Sequence, residues 1–322
     1  MTLDDQICQA EKQLFEASGL DPETSFVELQ RTGVHARVLN FGSGQPLVLL
    51  HGGVLSAAAW TPLLRELVGF RIHAVDLPGH GLSGPVAYRR GHVRDHTLQL
   101  IDDLYEALDL EPTPVVGHSL GAMFALWHAA ARPGRIGSLV AMGDPAVAIP
   151  GAVVRMPLSP MTVPVLGTAM LRSPSPRPAY RQLFGMGNGR GAAAAVPDEL
   201  LDVLRLSARR PGNARTVAVL MHAINHFRRP RPESVMDADE LGRVTAPTVF
   251  VWGTEDPFLA PGDARPWIEK MPAATLHEVP AGHAPWFEDP AGCAGVITRH
   301  LSATGFLPAG EGPALSREAR RV

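Results

Sequence analysis

The sequence predicts an α/β fold: a mostly parallel eight-stranded sheet, helices on both faces, and a helical cap inserted before the last two strands. Three observations carry that expectation. Apolar runs of strand length alternate with longer helical patterns up to Asp144, a rhythm that implies right-handed crossovers and a sheet buried on both faces. The rhythm stops from Pro145 to about Val244, where Pro, Met, Arg and Ala dominate, and resumes at "TVFVWG" (248–253). The composition, 45% hydrophobic and 19% charged over 322 residues, suits a globular chain with one sizeable core and a large insertion.

The elements follow in order. "MTLDDQICQAEKQLFEASG" reads as a short helix with Ile7, Leu14 and Phe15 on its apolar side and Gly19 as its stop. Its acidic start is unlike a signal peptide, so residues 1–24 form an N-terminal helical extension. "SFVELQ" and "ARVLNF" read as extended runs, and "GSGQP" turns the chain into "LVLLHGG", an antiparallel edge to a larger sheet. "RIHAVD" (71–76), a helix from about Arg94 to Leu108, "PVVGHS", a helix from Leu120 to about Ala131 and "IGSLVAMG" complete the first part of the core, 25–144.

In the cap, 145–244, the clearest helices are "PDELLDVLRLSARR", with Pro197 at its first turn, and "NARTVAVLMHAINHFRR", with Asn213 as its cap. "GMGNGRGA" (185–192) loosely fits a dinucleotide glycine pattern, but it follows no strand and opens no βαβ unit. It is read as a flexible cap loop, a gate for substrate. The core resumes over 245–302 with "TVFVWG", a helix near "DARPWIEKM", "ATLHEV" and a last helix from about Trp286 to Leu301. The polar tail, 303–322, is read as mobile, and no internal repeat stands out.

Several function classes fall away on charge and composition. A formal net charge of −3 and a pI near 6.5 provide no global positive field to recruit nucleic acid or an anionic membrane. Cys8 and Cys293 lie near opposite ends with no metal-ligand spacing and are expected as reduced thiols. The apolar stretch "SLVAMGDPAVAIPGAVV" is broken by Asp144, Pro145 and Pro150, short of the roughly 18 residues a membrane helix needs. A soluble cytoplasmic protein is the expectation, with room for a homo-oligomer.

The chemistry centres on "VVGHSLG" (115–121), where Ser119 sits between Gly117 and Gly121 at a strand-to-helix turn. G-x-S-x-G needs glycines because strand and helix approach too closely for side chains, and the strained turn lifts the hydroxyl above the sheet. A neutral hydroxyl is a poor nucleophile, so a base and an orienting carboxylate are required. His283, in "VPAGHAPWFEDP" on a loop before the final helix, is the best base among thirteen histidines. His118 is read as packing, and His51 and His80 as backbone-bonding loop residues. His222 and His226 have the i, i+4 spacing of a zinc pair, but Ala223 stands where H-E-x-x-H requires Glu, so no metal is expected.

Asp256 in "WGTEDPF" is favoured as the acid because it gives the chain order Ser, Asp, His. Asp144 in "AMGDPA" is the alternative; its other reading is a turn or capping role at the hinge of the cap. For the oxyanion, Leu120 offers a helix N-terminal amide, and "LLHGGV" offers a second donor from Gly53, with Val54 also open.

On these residues the chain resembles the α/β-hydrolase superfamily from about Ser25 to Leu301. The matching pieces are "HGG" (51–53), "DLPGHGLSG" (76–84), "GHSLG" (117–121), "WGTEDPF" (252–258) and "GHAPWFEDP" (282–290). The resemblance implies an α/β-hydrolase fold with Ser119 as nucleophile, Asp256 as acid, His283 as base, an oxyanion hole at Gly53 and Leu120, and no cofactor. The fold hosts many chemistries. Ser119 argues against epoxide hydrolases and haloalkane dehalogenases, which carry aspartate there. "HGGVLSAAAW" departs after Gly53 from the longer Gly-Pro-Gly loop usual in C–C bond hydrolases.

Met156, Met161, Met170, Met186 and Met221 lie in the cap among Leu, Val and Ala. Mostly core, some should roof an apolar pocket, which points to a medium-sized apolar ester as substrate. Arg172, Arg177, Arg181, Arg209, Arg210, Arg228, Arg229 and Arg231 make the cap locally basic, read as a solvated face before a carboxylate-recruiting one. The expected activity is ester hydrolysis through an acyl-enzyme. The alternatives are C–C bond hydrolysis, thioesterase or acyl-transfer chemistry on the same triad, and a ligand-binding receptor or pseudoenzyme on the same fold.

Overall fold

Val, Leu and Ile in the strand runs pair into one sheet in the computed structural model, which describes residues 1–154 and 158–307. Met156 and residues 308–322 lie outside the described residues; the start of the tail read as mobile is instead packed, with Ala303 ending the last helix and Leu307 buried in the core. The strands are β1 (Glu23–Leu29), β2 (Val34–Phe41), β3 (Gln45–Leu50), β4 (Phe70–Val75), β5 (Thr113–His118), β6 (Ile136–Met142), a two-residue hairpin of β7 (Asn225–His226) and β8 (Arg229–Pro230), then β9 (Thr248–Gly253) and β10 (Ala274–Val279). Eight of them form the main sheet in the order β1-β2-β4-β3-β5-β6-β9-β10. β1–β2 and β2–β4 are antiparallel, and every other pairing in that sheet is parallel.

Strand alternation divides the core between the two faces. Val48, Leu50 and Val115 join one cluster with Leu100 and Leu104 of α3 (Val93–Ala107) and Phe124 and Leu126 of α4 (Leu120–Ala131). Leu47, Leu49 and Val116 join the other, with Ile7 and Leu14 of α1 (Leu3–Ser18), Leu63 of α2 (Thr61–Leu64) and Ile297 and Leu301 of α12 (Pro290–Ala303). Between β6 and β9 run α5 (Pro164–Arg172), α6 (Arg177–Asn188), α7 (Arg190–Ala195), α8 (Asp198–Arg209), α9 (Pro211–Ile224) and α10 (Ala238–Gly242); α11 (Pro261–Ile268) follows β9. No helix among the described residues is long and apolar enough to cross a membrane.

Several sequence expectations need correction. β1 starts at Glu23, inside the segment read as a helical extension. α1 itself belongs to the core: a Thr2–Asp5 capping box opens it, Ile7 and Leu14 are fully buried, and it packs on α8. Asn213 is not a helix cap. Arg210 holds that position because Pro211 pre-sets the first helical φ, and Asn213 instead donates to the Gly81 and Ser207 carbonyls at 2.9 and 3.1 Å. α9 stops at Ile224, where the chain turns into the β7–β8 hairpin, so His226 is not on the helix with His222. The last helix starts at Pro290 after a separate turn, Pro285–Phe287.

The segment read as a flexible glycine loop is the junction of α6 and α7. Gly189 has φ +105, and a Cβ there would stand 2.8 Å from Gly282 Cα. Close packing on the His283 loop, not mobility, accounts for the glycine.

A buried ion network ties α1 to the sheet. The guanidinium of Arg37 on β2 donates to both carboxylate oxygens of Glu11, at 2.6 and 2.7 Å, and to Asp76 at the end of β4 at 2.7 Å. All three side chains are essentially closed to solvent. Breaking such a pair strands the remaining charge, so Arg37→Met should cost about 3–5 kcal/mol of stability, read as a lower midpoint in urea unfolding.

Candidate active site

The site begins at the steric limit between β5 and α4. A Cβ at residue 121 would lie 2.1 Å from Leu50 O, and one at 117 would lie 2.7 Å from Ala122 N; only glycine lets α4 start this close to the sheet. The turn between them forces Ser119 to φ 48, ψ −109, a costly conformation for a residue with a Cβ. Leu120, next in chain, is the first residue of α4, where amides have no intrahelical acceptor.

His283 lies on the loop after β10 and is 3% exposed. Its Nδ1 is 2.7 Å from Asp256 Oδ2. A carboxylate oxygen accepts, so Nδ1 carries the hydrogen and the lone pair is on Nε2. Asp256, just past β9, accepts two further bonds, from Asp144 N at 2.9 Å and Phe258 N at 3.0 Å. Phe258 also meets the His283 ring edge-on at 4.7 Å. The sequence-predicted acid and base are therefore brought together.

Asp144 is placed beside them in another role. Its backbone amide holds Asp256, while its own carboxylate is fully buried with neither oxygen hydrogen-bonded. Burial, reinforced by the Asp256 charge, pushes its carboxyl well above the usual range.

All three oxyanion candidates, Gly53, Val54 and Leu120, line the same cavity as Ser119. The Val54 amide is engaged, donating to His80 Nε2 at 3.3 Å. His80 can accept because burial drives its pKa down to about 3, leaving the ring neutral. His51 likewise serves the backbone: Nδ1 donates to Gly52 O at 2.7 Å and Nε2 accepts from Leu77 N at 3.0 Å.

His118 does more than the packing read from the sequence. Its Nε2 donates to the His283 carbonyl at 3.2 Å, its ring lies 4.7 Å from that of His283, and it lines the cavity. It thus links the strand carrying Ser119 to the loop carrying the imidazole. Nothing local in the sequence revealed this partner.

These groups and the segment between β6 and β9 together line a cavity of about 170 Å³. Ser119, His283, Gly53 and Leu120 line it, as do Leu158, Met161, Leu171, Phe184, Met221 and Ile224 of the segment between β6 and β9. Of the remaining methionines, Met170 and Met186 are not among its lining residues, and Met186 is 41% exposed. None of the described lining residues is charged, so the arginines singled out in the sequence stand elsewhere. His222 Nδ1 is 3.0 Å from Thr162 O, and no group of His, Cys, Asp or Glu among the described residues is arranged to hold a metal.

A model of the alpha/beta hydrolase family matches residues 47–296. The chain belongs to that family. Among similar proteins, a 2-hydroxy-6-oxononadienedioate/2-hydroxy-6-oxononatrienedioate hydrolase of Cupriavidus pinatubonensis is 29% identical, covering 73% of this chain and 79% of its own. A pimeloyl-(acyl-carrier protein) methyl ester esterase of Chromobacterium violaceum is 27% identical, covering 82% and 97%. Carboxylesterase CesB of Bacillus subtilis aligns with a TM-score of 0.76 at 19% identity, over 94% of this chain and 99% of its own, a likeness of fold alone. C–C bond hydrolases, set back by the form of the first loop, are thus among the relatives of this hydrolase.

The raised carboxyl of Asp144 fixes a sign. A group whose folded pKa lies above its unfolded value binds more protons when folded, so its contribution to stability falls as pH rises from about 4. Asp144→Asn keeps the shape without the charge and should raise Tm at pH 7 by roughly 2 °C. In melts over a pH series, the gain should shrink to nothing toward pH 4.

Proposed function

We propose that this hydrolase cleaves carboxylic esters of small to medium apolar substrates through an acyl-enzyme on Ser119, with residues 145–244 acting as the cap. His283 Nε2 takes the Ser119 proton as Oγ attacks the ester carbonyl, while Asp256 holds the Nδ1–H tautomer and stabilises the imidazolium. The amides of Gly53 and Leu120 receive the developing oxyanion. The imidazolium then protonates the departing alkoxide, and a water deprotonated by the same ring releases the acid.

The observation that carries the reading is the conjunction of the strained serine and the Asp256-oriented imidazole on the wall of one cavity, lined mostly by apolar side chains and by no Asp, Glu, Lys or Arg among its described residues. The cavity also weighs on the choice of substrate. A dienedioate of the kind named for the Cupriavidus relative carries two carboxylates, and burying an unpaired carboxylate is strongly unfavourable. The relatives nevertheless favour C–C bond hydrolysis as the second reading, since an activated serine and an acid–base histidine serve both reactions.

A fluorophosphonate probe should label the wild type and not Ser119→Ala. Asp256→Asn should lower kcat on nitrophenyl esters by about 10³–10⁴-fold, with turnover across a chain-length panel peaking at short to medium acyl groups. Turnover of a 2-hydroxy-6-oxo-dienoate, with none across the ester panel, would transfer the assignment to the second reading.

A further inference from the structure

Charge is distributed very unevenly along this hydrolase. Residues 145–232 contain twelve arginines and only three carboxylates, within a chain whose net charge is −3. Two of those carboxylates are already taken: Asp198 pairs with Arg177 and Arg181, and Asp202 with Arg177 and Arg205. Arg210 reaches Asp4 on α1. Arg172, Arg228 and Arg229 are exposed and have no carboxylate partner among the described residues. A local positive field therefore exists where the whole-chain charge gives none.

The same corner exposes apolar side chains. Val163 is 41% exposed, Val165 84%, Leu166 47% and Phe227 47%, half of the large exposed hydrophobics among the described residues. Val165 and Leu166 lie on α5, and Phe227 sits at the tip of the β7–β8 hairpin, directly before Arg228 and Arg229. The two parts are joined: Thr162 Oγ1, one residue before Val163, donates to Phe227 O at 3.1 Å. Phe227 has φ +57, a left-handed backbone that a bulky aromatic adopts only when the surroundings impose it. The strained turn leaves this ring 47% exposed, next to Arg228 and Arg229.

The corner adjoins the catalytic cavity. Thr162 lines that cavity, and Val153 lines both it and the hollow formed by His226, Phe227, Arg228 and Arg229.

We propose that this corner seats the protein on an anionic lipid bilayer. Phe227, Val165 and Leu166 enter the headgroup and acyl boundary, and Arg172, Arg228 and Arg229 meet lipid phosphates. Aromatic and aliphatic side chains flanked by unpaired arginines are the composition an interfacial anchor requires, and arginine stems can follow the apolar contact while their heads stay at the phosphates. An acidic protein surface would be met by the arginines but gives no reason for Val165 to stand 84% exposed. Docked this way, the cavity lies next to the layer in which an apolar ester partitions.

The test is co-sedimentation of the full chain with vesicles of phosphatidylcholine alone and of equimolar phosphatidylcholine and phosphatidylglycerol. Binding is expected to the anionic vesicles only, weakening as salt rises. Arg228→Gln and Arg229→Gln should each lower partitioning about fivefold. Phe227→Ser should lower it further, while Phe26→Ser, at an exposed apolar site on β1, leaves it unchanged. Thermal melts and hydrolysis of a short soluble ester report that each variant is folded. No binding to the anionic vesicles, equal binding to both kinds, or binding indifferent to Phe227 and the arginines overturns the proposal. The vesicle measurement needs no turnover and can be run on Ser119→Ala, so it stands or falls separately from the ester reading.

Discussion

The Asp76 carboxylate, sealed from solvent at the end of β4, is the interaction on which most of the site hangs. One oxygen accepts from Ala57 N and the other from Arg37 and Leu82 N. A Cβ on residue 81 would stand 1.8 Å from it, so the loop can fold over the carboxylate only with glycine at that place. From this loop His80 accepts the Val54 amide, and Leu77 donates to His51. The turn carrying Gly53 is thereby suspended from a charge that sits well below it. Arg37 carries the same network outward to Glu11 on α1, and α1 in turn braces α8 and Arg210. Three buried charges are tolerable because each is answered by charge and by directed donors.

A similar division of labour separates the two carboxylates beside His283. Asp256 accepts three hydrogen bonds, one from the imidazole and two from backbone amides. Asp144, one strand away, accepts none. Donors stabilise the ionised form and burial without donors favours the neutral one. Chemically identical side chains are thus set apart by environment alone, which is how a site keeps one acid charged next to another. The Asp144 main chain still contributes, since its amide fixes the very oxygen that faces Nδ1.

What could be read from the sequence was whatever local sterics or short spacing determine. The Gly117–Ser119–Gly121 turn, the strand ends that deliver Asp256 and His283, and the alternation of apolar runs all belong to that class. Asp256 was favoured over Asp144 on chain order, and the hydrogen-bonding geometry separates the two. Features set by distant contacts were not legible. Glu11 looks like an ordinary exposed helix residue until Arg37 arrives from β2, and nothing near Gly189 announces Gly282 as the neighbour that excludes a side chain. Asn213 shows a local rule overridden: its residue type suits an N-cap, but Pro211 starts the helix earlier and leaves the amide free to bind the loop at Gly81. His118 was read as packing, and its bond to the His283 carbonyl required the strand and the distant loop to be seen together.

Charge in the segment over the site is segregated by depth. Its inner surface meets the cavity with Leu, Met, Phe and Ile, while among its described arginines Arg177, Arg181, Arg205 and Arg210 pair with carboxylates, Arg231 is buried against the His222 carbonyl, and Arg172, Arg228 and Arg229 are exposed. The arrangement has an electrostatic logic. A cation in the cavity wall would favour bound anions, including the carboxylate product of any ester, and would slow its departure; a neutral wall leaves the newly formed acid poorly solvated and so favours its release into water. Placing the positive charge on the outer surface keeps its attraction for anionic surroundings without putting a like charge beside the imidazolium that forms during turnover. The Asp256 carboxylate then remains the charge closest to His283, and the strength of that one pairing is not shared with a competing cation.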